Sequence, residues 1–191
     1  VSSDTQAPEG YWALTSLDEE ESVALGVELR GHSCKGAVVD VATGEFCRPG
    51  ASRALETFSE TTMRESLQAL VKEMAWEGPV GVSITKAVAR GLGVDPEAVA
   101  SFSEMDRLVG EMLKRALPRH TVVTMIHTEA AGYAHLSWSS QLEEEGDLIL
   151  VCTIGQALGA VLYNKGHRVR NLGMNRNIAS KYEADLRALQ E

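Results

Sequence analysis

The order in which short apolar runs alternate with amphipathic stretches constrains this chain more than any other sequence feature. Five short segments predict strands, at 23–27, 37–41, 45–48, 80–84 and 121–126, the last of them rich in β-branched residues. The first three runs follow one another directly and predict an antiparallel meander, with Thr43-Gly44 as a tight turn. Segments with apolar residues at helical spacing separate the later runs, and strands that are joined through a helix can pair in parallel. The pattern therefore predicts an α/β fold with a partly parallel sheet.

Capping and turn residues predict where the helices begin. Helix starts are predicted at Thr62, which with Glu65 resembles a capping box, at Asp95 before Pro96, at Ser103, and near Glu129. The first helix carries apolar residues at helical spacing up to about Trp76, and the third is expected to end before Pro118. We also expect Trp76 to fill the junction between the first helix and the following strand.

A second unit is predicted after the acidic break at 143–147. Strands are expected at 148–153, 157–163 and 167–170, followed by a terminal helix. That helix carries an apolar stripe formed by Ile178, Tyr182, Leu186 and Leu189. We predict three parts of the chain: an acidic N-terminal tail at 1–22, a first α/β lobe at 23–142, and a partial second lobe at 143–191.

The charge balance excludes some classes of partner. The chain has 191 residues with 18 Lys and Arg against 27 Asp and Glu, a net charge of −9. An acidic surface repels phosphate backbones, so nucleic acid is not an expected partner. The densest basic stretch comprises Lys165, His167, Arg168, Arg170 and Arg176. It is expected to be solvated turn charge; the alternative is a surface for an acidic partner or a polyanion.

Cysteine usage and hydropathy bear on the compartment. The three cysteines are far apart and lack metal-ligand spacing, and the five histidines are isolated, so neither a disulfide framework nor a metal site is predicted. No apolar run reaches the roughly 18 residues that a membrane helix needs. We expect a soluble intracellular protein; an organelle such as a plastid is compatible with an import peptide removed before Val1.

Large aromatic and aliphatic side chains are candidates for contact with a protein partner. Tyr11 and Trp12 are the only large apolar anchors of the tail, where they either pack back on the domain or enter a partner's pocket. Trp138 lies where the chain leaves the first lobe. The stripe Ile178, Tyr182, Leu186 and Leu189 must cover the second unit or dock on another chain.

Four ordered blocks of sequence carry a resemblance to a known family. They are Leu25–Glu45, Trp76–Ile84, Glu129–Gly132, and Thr153–Ala160 followed by Asn171-Leu172. Together they resemble the ROK family of sugar kinases, especially the polyphosphate glucokinases, over roughly Ala24 to Arg176. The resemblance implies an actin-like, ribonuclease-H-like ATPase fold, of which this chain supplies the first lobe and the opening strands of the second.

The first phosphate loop departs from the family pattern. The family's Asp-x-Gly-Gly-Thr-x-x-Lys falls on Glu28, Arg30, Gly31, His32 and Lys35. Phosphoryl transfer in this family needs a glycine loop near phosphate oxygens and a carboxylate that holds Mg²⁺. Glu28 keeps a carboxylate with a longer reach, whereas Arg30 places a long side chain where the backbone must approach phosphate.

The positions of the base and the second loop have also changed. Matching Ala130-Ala131-Gly132 to the family's Asn-Asp-Ala-x-Ala-Ala-Gly puts Ile126 at the sugar-binding asparagine and His127 at the general base, with Glu129 as a substitute only if the register shifts. Histidine accepts a proton near neutral pH, so base chemistry is not strictly lost.

The second loop, Gly-Thr-Gly-x-Gly in the family, keeps only Gly155 and Gly159. Neither the glutamate nor the histidine of the family's Glu-Leu-Gly-His sugar clamp is present at 173–176.

The sequence departs from the family pattern at four places that face the ligands, whereas the pattern of strands and turns is retained. This distribution predicts that the chain keeps the family's fold but has lost its catalytic site. We interpret the chain as a non-catalytic sugar-kinase relative without cofactor, a binding or scaffold subunit of a larger protein complex. The alternative is a glucokinase that phosphorylates glucose from polyphosphate or ATP with Mg²⁺. In that case His127 or Glu129 is the base, and Glu28, Gly31, Lys35, Gly155 and Gly159 contact phosphate or nucleotide.

Overall fold

Two β-sheets and four helices make up the described part of the chain. The computed structural model describes residues 23–95, 102–138, 148–154, 158–165 and 167–169. The strands are β1 (Val23–Arg30), β2 (Ser33–Asp40), β3 (Ala51–Ala54), β4 (Val80–Ile84), β5 (Val122–Ile126), β6 (Leu148–Ile154), β7 (Leu158–Asn164) and β8 (His167–Arg168). The helices are α1 (Glu60–Glu73), α2 (Lys86–Gly91), α3 (Phe102–Ala116) and α4 (His127–Trp138).

The first sheet is mixed and has the order β3-β2-β1-β4-β5. The meander pairs β1 with β2 and β2 with β3 antiparallel, whereas β4 pairs in parallel with both β1 and β5. This arrangement confirms the predicted α/β fold with a partly parallel sheet. Because the register aligns Leu29 with Ile84 and Ile84 with Ile126, the carboxyl ends of β1, β4 and β5 meet at one edge.

The core lies between this sheet and the helices α1 and α3. Alternate residues of β1 and β4 are buried, as expected for strands with one covered face. Helix α1 buries Met63, Leu67 and Leu70 at helical spacing. At Gly36 an added Cβ would lie 2.7 Å from Leu70 Cδ2, so a larger residue here would force the buried Leu70 side chain to move.

The predicted third strand at 45–48 is wrong in position. Asp40 accepts hydrogen bonds from the backbone N–H groups of Ala42 and Thr43, which turns the chain, and Phe46 forms only an isolated bridge with Val39. Pro49 has no N–H for a ladder, so pairing resumes only at β3.

Several helix starts also differ from the predictions. Ser59, not Thr62, caps α1, and Thr62 is the third helical residue that closes the capping box. Helix α3 begins at Phe102, so Ser103 is inside it. The predicted start at Asp95-Pro96 runs into 96–101, outside the described residues.

Helix α2, which was not predicted, follows the cap Thr85. Trp76 lies at the predicted junction, where its indole N–H donates to Pro79 O at 2.9 Å.

The second sheet has the order β6-β7-β8 and is antiparallel throughout. Its three strands confirm the predicted ones to within a few residues, and α4 packs against β6 and β7. The domain limits at 22/23 and 142/143 stay a prediction because 1–22 and 139–147 lie outside the described residues. Within the described ranges, no helix has the length and apolar character needed to cross a membrane.

Candidate functional site

The shared edge of the first sheet brings Glu28 and His127 together. Glu28 lies near the carboxyl end of β1, and His127 is the first residue of α4, directly after β5. Because these strand ends align, Glu28 Oε1 lies 3.4 Å from His127 Nδ1. The site therefore pairs the two side chains that the resemblance implies for metal binding and for base catalysis.

Arg30 binds the same carboxylate oxygen. Residues two apart on a strand share a face, and Arg30 Nη2 donates to Glu28 Oε1 at 2.7 Å. Both side chains are partly exposed, so the pair contributes about 0.2 to 1 kcal/mol to stability. Glu28 is thus held by a guanidinium from a position where the family pattern has glycine.

The turn between β1 and β2 contains the other residues of the first loop. Gly31 and His32 form a two-residue connection between the paired residues Arg30 and Ser33. A Cβ at Gly31 would meet nothing within 4 Å, and the φ of Gly31 is outside the left-handed region. The fold therefore does not require glycine at this position. Lys35 is exposed and lies opposite Glu28 in the strand register.

The buried side of the same hairpin is apolar. Cys34, the neighbour of Lys35, points into the core and is fully buried. Burial raises the pKa of the Cys34 thiol to about 11, partly offset by the positive charge of Arg53. The thiol is therefore a packing residue at neutral pH and not a nucleophile.

Glu129 lies in a buried contact with the second sheet. Its carboxylate forms an ion pair with Arg168 of β8, and only 9% and 11% of the two side chains are exposed. Tyr163 donates a hydrogen bond to the backbone carbonyl of Glu129 at 3.1 Å. Arg168 is therefore not the solvated turn charge expected from the sequence, and nothing in the sequence pairs two residues so far apart along the chain.

Two glycines of the family blocks lie where α4 meets the second sheet. A Cβ on Gly132 would lie 2.6 Å from Cε2 of the buried Tyr163 ring. A Cβ on Gly159 would collide with the hydroxyls of Thr128 and Thr153, which are hydrogen-bonded to each other at 3.0 Å. Close packing alone thus requires both glycines, without a phosphate ligand.

The remaining candidate residues cannot be placed in the site. Trp138 is the last residue of α4, and its side chain is not among those described. Outside the described residues lie Tyr11, Trp12, Gly155, Ile178, Tyr182, Leu186 and Leu189.

The donor set at the sheet edge does not fit Mg²⁺. Mg²⁺ is held by one or two carboxylates and keeps several waters. Here the one carboxylate, Glu28, is shared by Arg30 and His127. Across the part of the chain that the structure describes, no group of three His, Cys, Asp or Glu side chains could hold a metal ion. We therefore derive no chemical step through Mg²⁺.

Comparison with solved structures identifies the fold. An inorganic polyphosphate/ATP-glucomannokinase from Arthrobacter sp. strain KM aligns with 78% of this chain and 61% of its own, at a TM-score of 0.61 and 21% identity. A ROK family glucokinase from Streptomyces griseus, in complex with glucose and AMPPNP, aligns with 77% and 46% at a TM-score of 0.55 and 16% identity. A ROK family transcriptional regulator, a homolog of the E. coli MLC protein, aligns with 77% and 38% at a TM-score of 0.54 and 13% identity.

These neighbours confirm the expected actin-like ATPase fold, in the form found in ROK family sugar kinases. The chain spans between about two fifths and three fifths of the length of these three structures. No family model matches the sequence, and no curated protein sequence matches it significantly. Since this fold occurs in kinases and in a transcriptional regulator, the fold alone does not select catalysis.

Proposed function

We propose that this chain is a non-catalytic relative of the sugar kinases that serves as a binding or scaffold subunit of a larger protein complex. One observation carries the proposal: Arg30 and His127 converge on the carboxylate of Glu28. Phosphoryl transfer needs that edge to attract a cation and to leave the backbone open to phosphate. This chain places a permanent positive charge and a long side chain there instead.

The proposal rests mainly on the chemical nature of the residues that replace those of the family, and less on the strength of the ion pair between Glu28 and Arg30. The exposed pair contributes at most about 1 kcal/mol, so a tightly bound ligand could displace it. An arginine close to a metal ion, however, repels that ion electrostatically wherever its guanidinium stays within a few ångströms. Ile126, the last residue of β5, has no polar side-chain atom with which to hold a sugar hydroxyl.

Surface apolar residues support a protein partner. Phe46 is 76% exposed and Val41 is 43% exposed, and both lie on the segment that leaves β2. Exposed aromatic side chains are enriched in protein interfaces, whereas an isolated exposed valine is ordinary. The acidic net charge of −9 favours a protein partner over a polyanion.

Calorimetric titration tests the loss of the ligand site. The purified chain is titrated with ATP, polyphosphate and glucose in Mg²⁺, beside a variant that restores family residues, Arg30→Gly with His127→Asp. We expect no binding of either phosphate donor by the natural chain. Binding of a phosphate donor and glucose together at micromolar affinity would overturn the proposal.

The native size of the protein tests the scaffold role. We expect the chain in a native extract to elute as part of a complex larger than itself, with a fixed set of co-eluting proteins. Elution as a monomer from the native extract contradicts this role, whatever the ligand titrations show.

A glucokinase activity is the second candidate, and the contact of His127 with Glu28 favours it. A carboxylate beside an imidazole can orient it as a general base toward a sugar hydroxyl. A coupled assay with glucose and either ATP or polyphosphate tests this activity. Turnover that His127→Ala abolishes supports it, and no turnover above that variant removes it. Glu129 is not used in this assay because its substitution disturbs a buried ion pair.

A further inference from the structure

The segment that connects β2 to β3 holds an aromatic side chain in an exposed position. Phe46 lies opposite Val39 in an isolated antiparallel bridge, and the N–H of Cys47 donates to Val38 O at 2.9 Å. These contacts fix the backbone on which Phe46 stands, although 76% of the residue is exposed. A side chain whose backbone is already ordered loses less conformational freedom when a partner binds.

A cavity lies directly beside Phe46. The last pair of the ladder between β2 and β3 joins Gly36 to Ala51, so residues 47–50 lie opposite 37–38 and form a bulge. The bulge leaves a cavity of about 360 Å³, which we call the Phe46 cavity, lined by Ala37, Phe46, Arg48, Pro49 and Gly50. Small-molecule pockets range from about 300 to 1,000 Å³. The Phe46 cavity therefore suits a large side chain better than a whole cofactor.

The sheet surface beside the cavity is flat. Ala37 pairs with Gly26, and Gly26 pairs with Gly81, so one row across β2, β1 and β4 carries almost no side chain. A Cβ on Gly81 would meet nothing within 4 Å, and neither glycine has a positive φ. Glycine inside a strand often marks a place where another backbone approaches closely. The row gives a partner's chain room to lie against the sheet while one of its side chains enters the cavity.

Arg48 gives the Phe46 cavity a positive border. Its Nη1 donates to Met74 O at 3.1 Å, and its Cζ lies 5.8 Å from the centroid of the Trp76 ring. These contacts hold the guanidinium in place while the hydrogen bond uses one of its five N–H donors. Among the described residues, no acidic side chain forms an ion pair with it. An apolar cavity beside such a cation is complementary to an apolar side chain next to a carboxylate.

We propose that the Phe46 cavity is the docking site of a partner protein, whose contacting segment places a large apolar side chain in the cavity and a carboxylate on Arg48. Aromatic and arginine side chains are the usual anchors of protein interfaces. The net charge of −9 disfavours a second copy of this chain and a polyanion as the occupant. This inference rests on the proposed binding role and names the surface and the chemistry of the partner.

Peptide selection tests the chemistry of the occupant. A phage-displayed library of random peptides is selected on the immobilised full chain and depleted on Phe46→Ser. We expect the enriched peptides to share a large apolar residue within a few positions of Asp or Glu. Enrichment of basic peptides, or none over Phe46→Ser, refutes the docking site. The urea midpoint of Phe46→Ser should equal that of the natural chain, since the side chain is exposed. A lower midpoint means that the chain itself packs on Phe46, which also refutes the site.

The affinity of one enriched peptide, measured by fluorescence anisotropy, compares variants with matched controls. Phe46→Ser and Arg48→Glu should each weaken binding at least roughly tenfold. Val41→Ser changes another exposed residue of the same segment, and Lys114→Glu makes an equal charge change on α3, which covers the other face of the sheet. Both controls should bind the peptide as the natural chain does. Equal weakening by a variant and its control contradicts the docking site.

A charge exchange separates docking from a general disturbance of the fold. The acidic residue of the peptide is replaced by Lys, and the changed peptide is titrated into Arg48→Glu. We expect this variant to bind the changed peptide at least roughly tenfold more tightly than the original one. Equally weak binding of both peptides shows that Arg48 does not pair with the carboxylate.

Native extracts distinguish this inference from the proposed binding role. The co-eluting proteins should be lost from Phe46→Ser and from Arg48→Glu, and kept by both control variants. A natural chain that elutes as a monomer but binds the selected peptides contradicts the scaffold role and supports the docking site. A complex that survives both Phe46→Ser and Arg48→Glu contradicts the docking site and leaves the scaffold role standing.

Discussion

The edge of the first sheet at Glu28 and the contact of α4 with the second sheet differ in how their polar residues are held. At the edge, Glu28, Arg30 and His127 interact with one another while partly exposed to water. At the contact, Glu129 and Arg168 are paired in a buried setting. Both carboxylates, Glu28 and Glu129, lie within blocks of sequence that resemble sugar-kinase motifs.

The difference shows which residues the fold itself requires. Around α4, a change in volume or charge must be accommodated inside a packed interior, where adjustment is costly. At the sheet edge, Gly31 has open space around it, and Glu28 can exchange its partners for water. A chain of this fold can therefore alter the edge at little cost in stability, while the residues around α4 must be kept.

The largest expected effect comes from removing one member of the buried ion pair. Arg168→Met removes the guanidinium that is paired with the buried carboxylate of Glu129, and it is expected to lower the free energy of unfolding by about 3 to 5 kcal/mol. Urea denaturation followed by circular dichroism measures the loss. The double variant Glu129→Gln with Arg168→Met removes both charges and should recover part of it. A loss below about 1 kcal/mol for Arg168→Met would mean that the Glu129–Arg168 pair stabilises the fold no more than an exposed ion pair such as Glu28–Arg30.

A matched pair of glycine substitutions compares the two regions directly. Gly132→Ala should gain about 1 kcal/mol from helix propensity but lose more, because the new Cβ collides with the buried Tyr163 ring. We expect a net destabilisation of about 1 to 3 kcal/mol. Gly31→Ala meets no atom and should change stability by less than about 0.5 kcal/mol. Equal effects in denaturation would mean that the two glycines are not held differently.

The buried thiol beneath the hairpin predicts a pH dependence. The pKa of Cys34 is about 11 in the folded protein against an ordinary value of 9.0, so between these pH values the unfolded chain loses the proton that the folded chain keeps. Stability should fall by about 1 kcal/mol between pH 9 and pH 10 from this group. In Cys34→Ala, the free energy of unfolding should fall less steeply between pH 9 and pH 10. In Cys47→Ala, it should fall as steeply as in the natural chain. Identical slopes in all three proteins would refute a closed hairpin interior.

A small effect is also expected for the charged residues of the sheet edge. Glu28→Gln removes the charge that Arg30 and His127 share, and it should change the free energy of unfolding by less than about 1 kcal/mol. High salt should reduce this difference further, since the pair is partly exposed. A loss comparable with that of Arg168→Met, measured in the same denaturation series, would mean that the edge is as tightly organised as the α4 contact.

The sequence predicts the fold well where one local pattern decides it. The apolar runs of β1, β4 and β5 and the helical spacing in α1 and α3 each predict their element. The strand β3 is misplaced because the chain turn made by Asp40 and the missing N–H of Pro49 outweigh the apolar character of 45–48.

The site is predicted less fully, since its contacts join distant parts of the chain. The resemblance places Glu28 and His127 in one site, but it does not predict that Arg30 binds the same oxygen. The sequence position of Glu129 makes it a candidate base, but the fold pairs its carboxylate with Arg168.

Helix α4 contacts both sheets. It starts at the edge of the first sheet with His127, and within its first turns Thr128, Glu129 and Gly132 touch the second sheet. A rotation of the second sheet would therefore turn the helix as a lever and shift the imidazole relative to Glu28. A rotation of the second sheet that leaves His127 beside Glu28 would instead have to break the buried ion pair between Glu129 and Arg168.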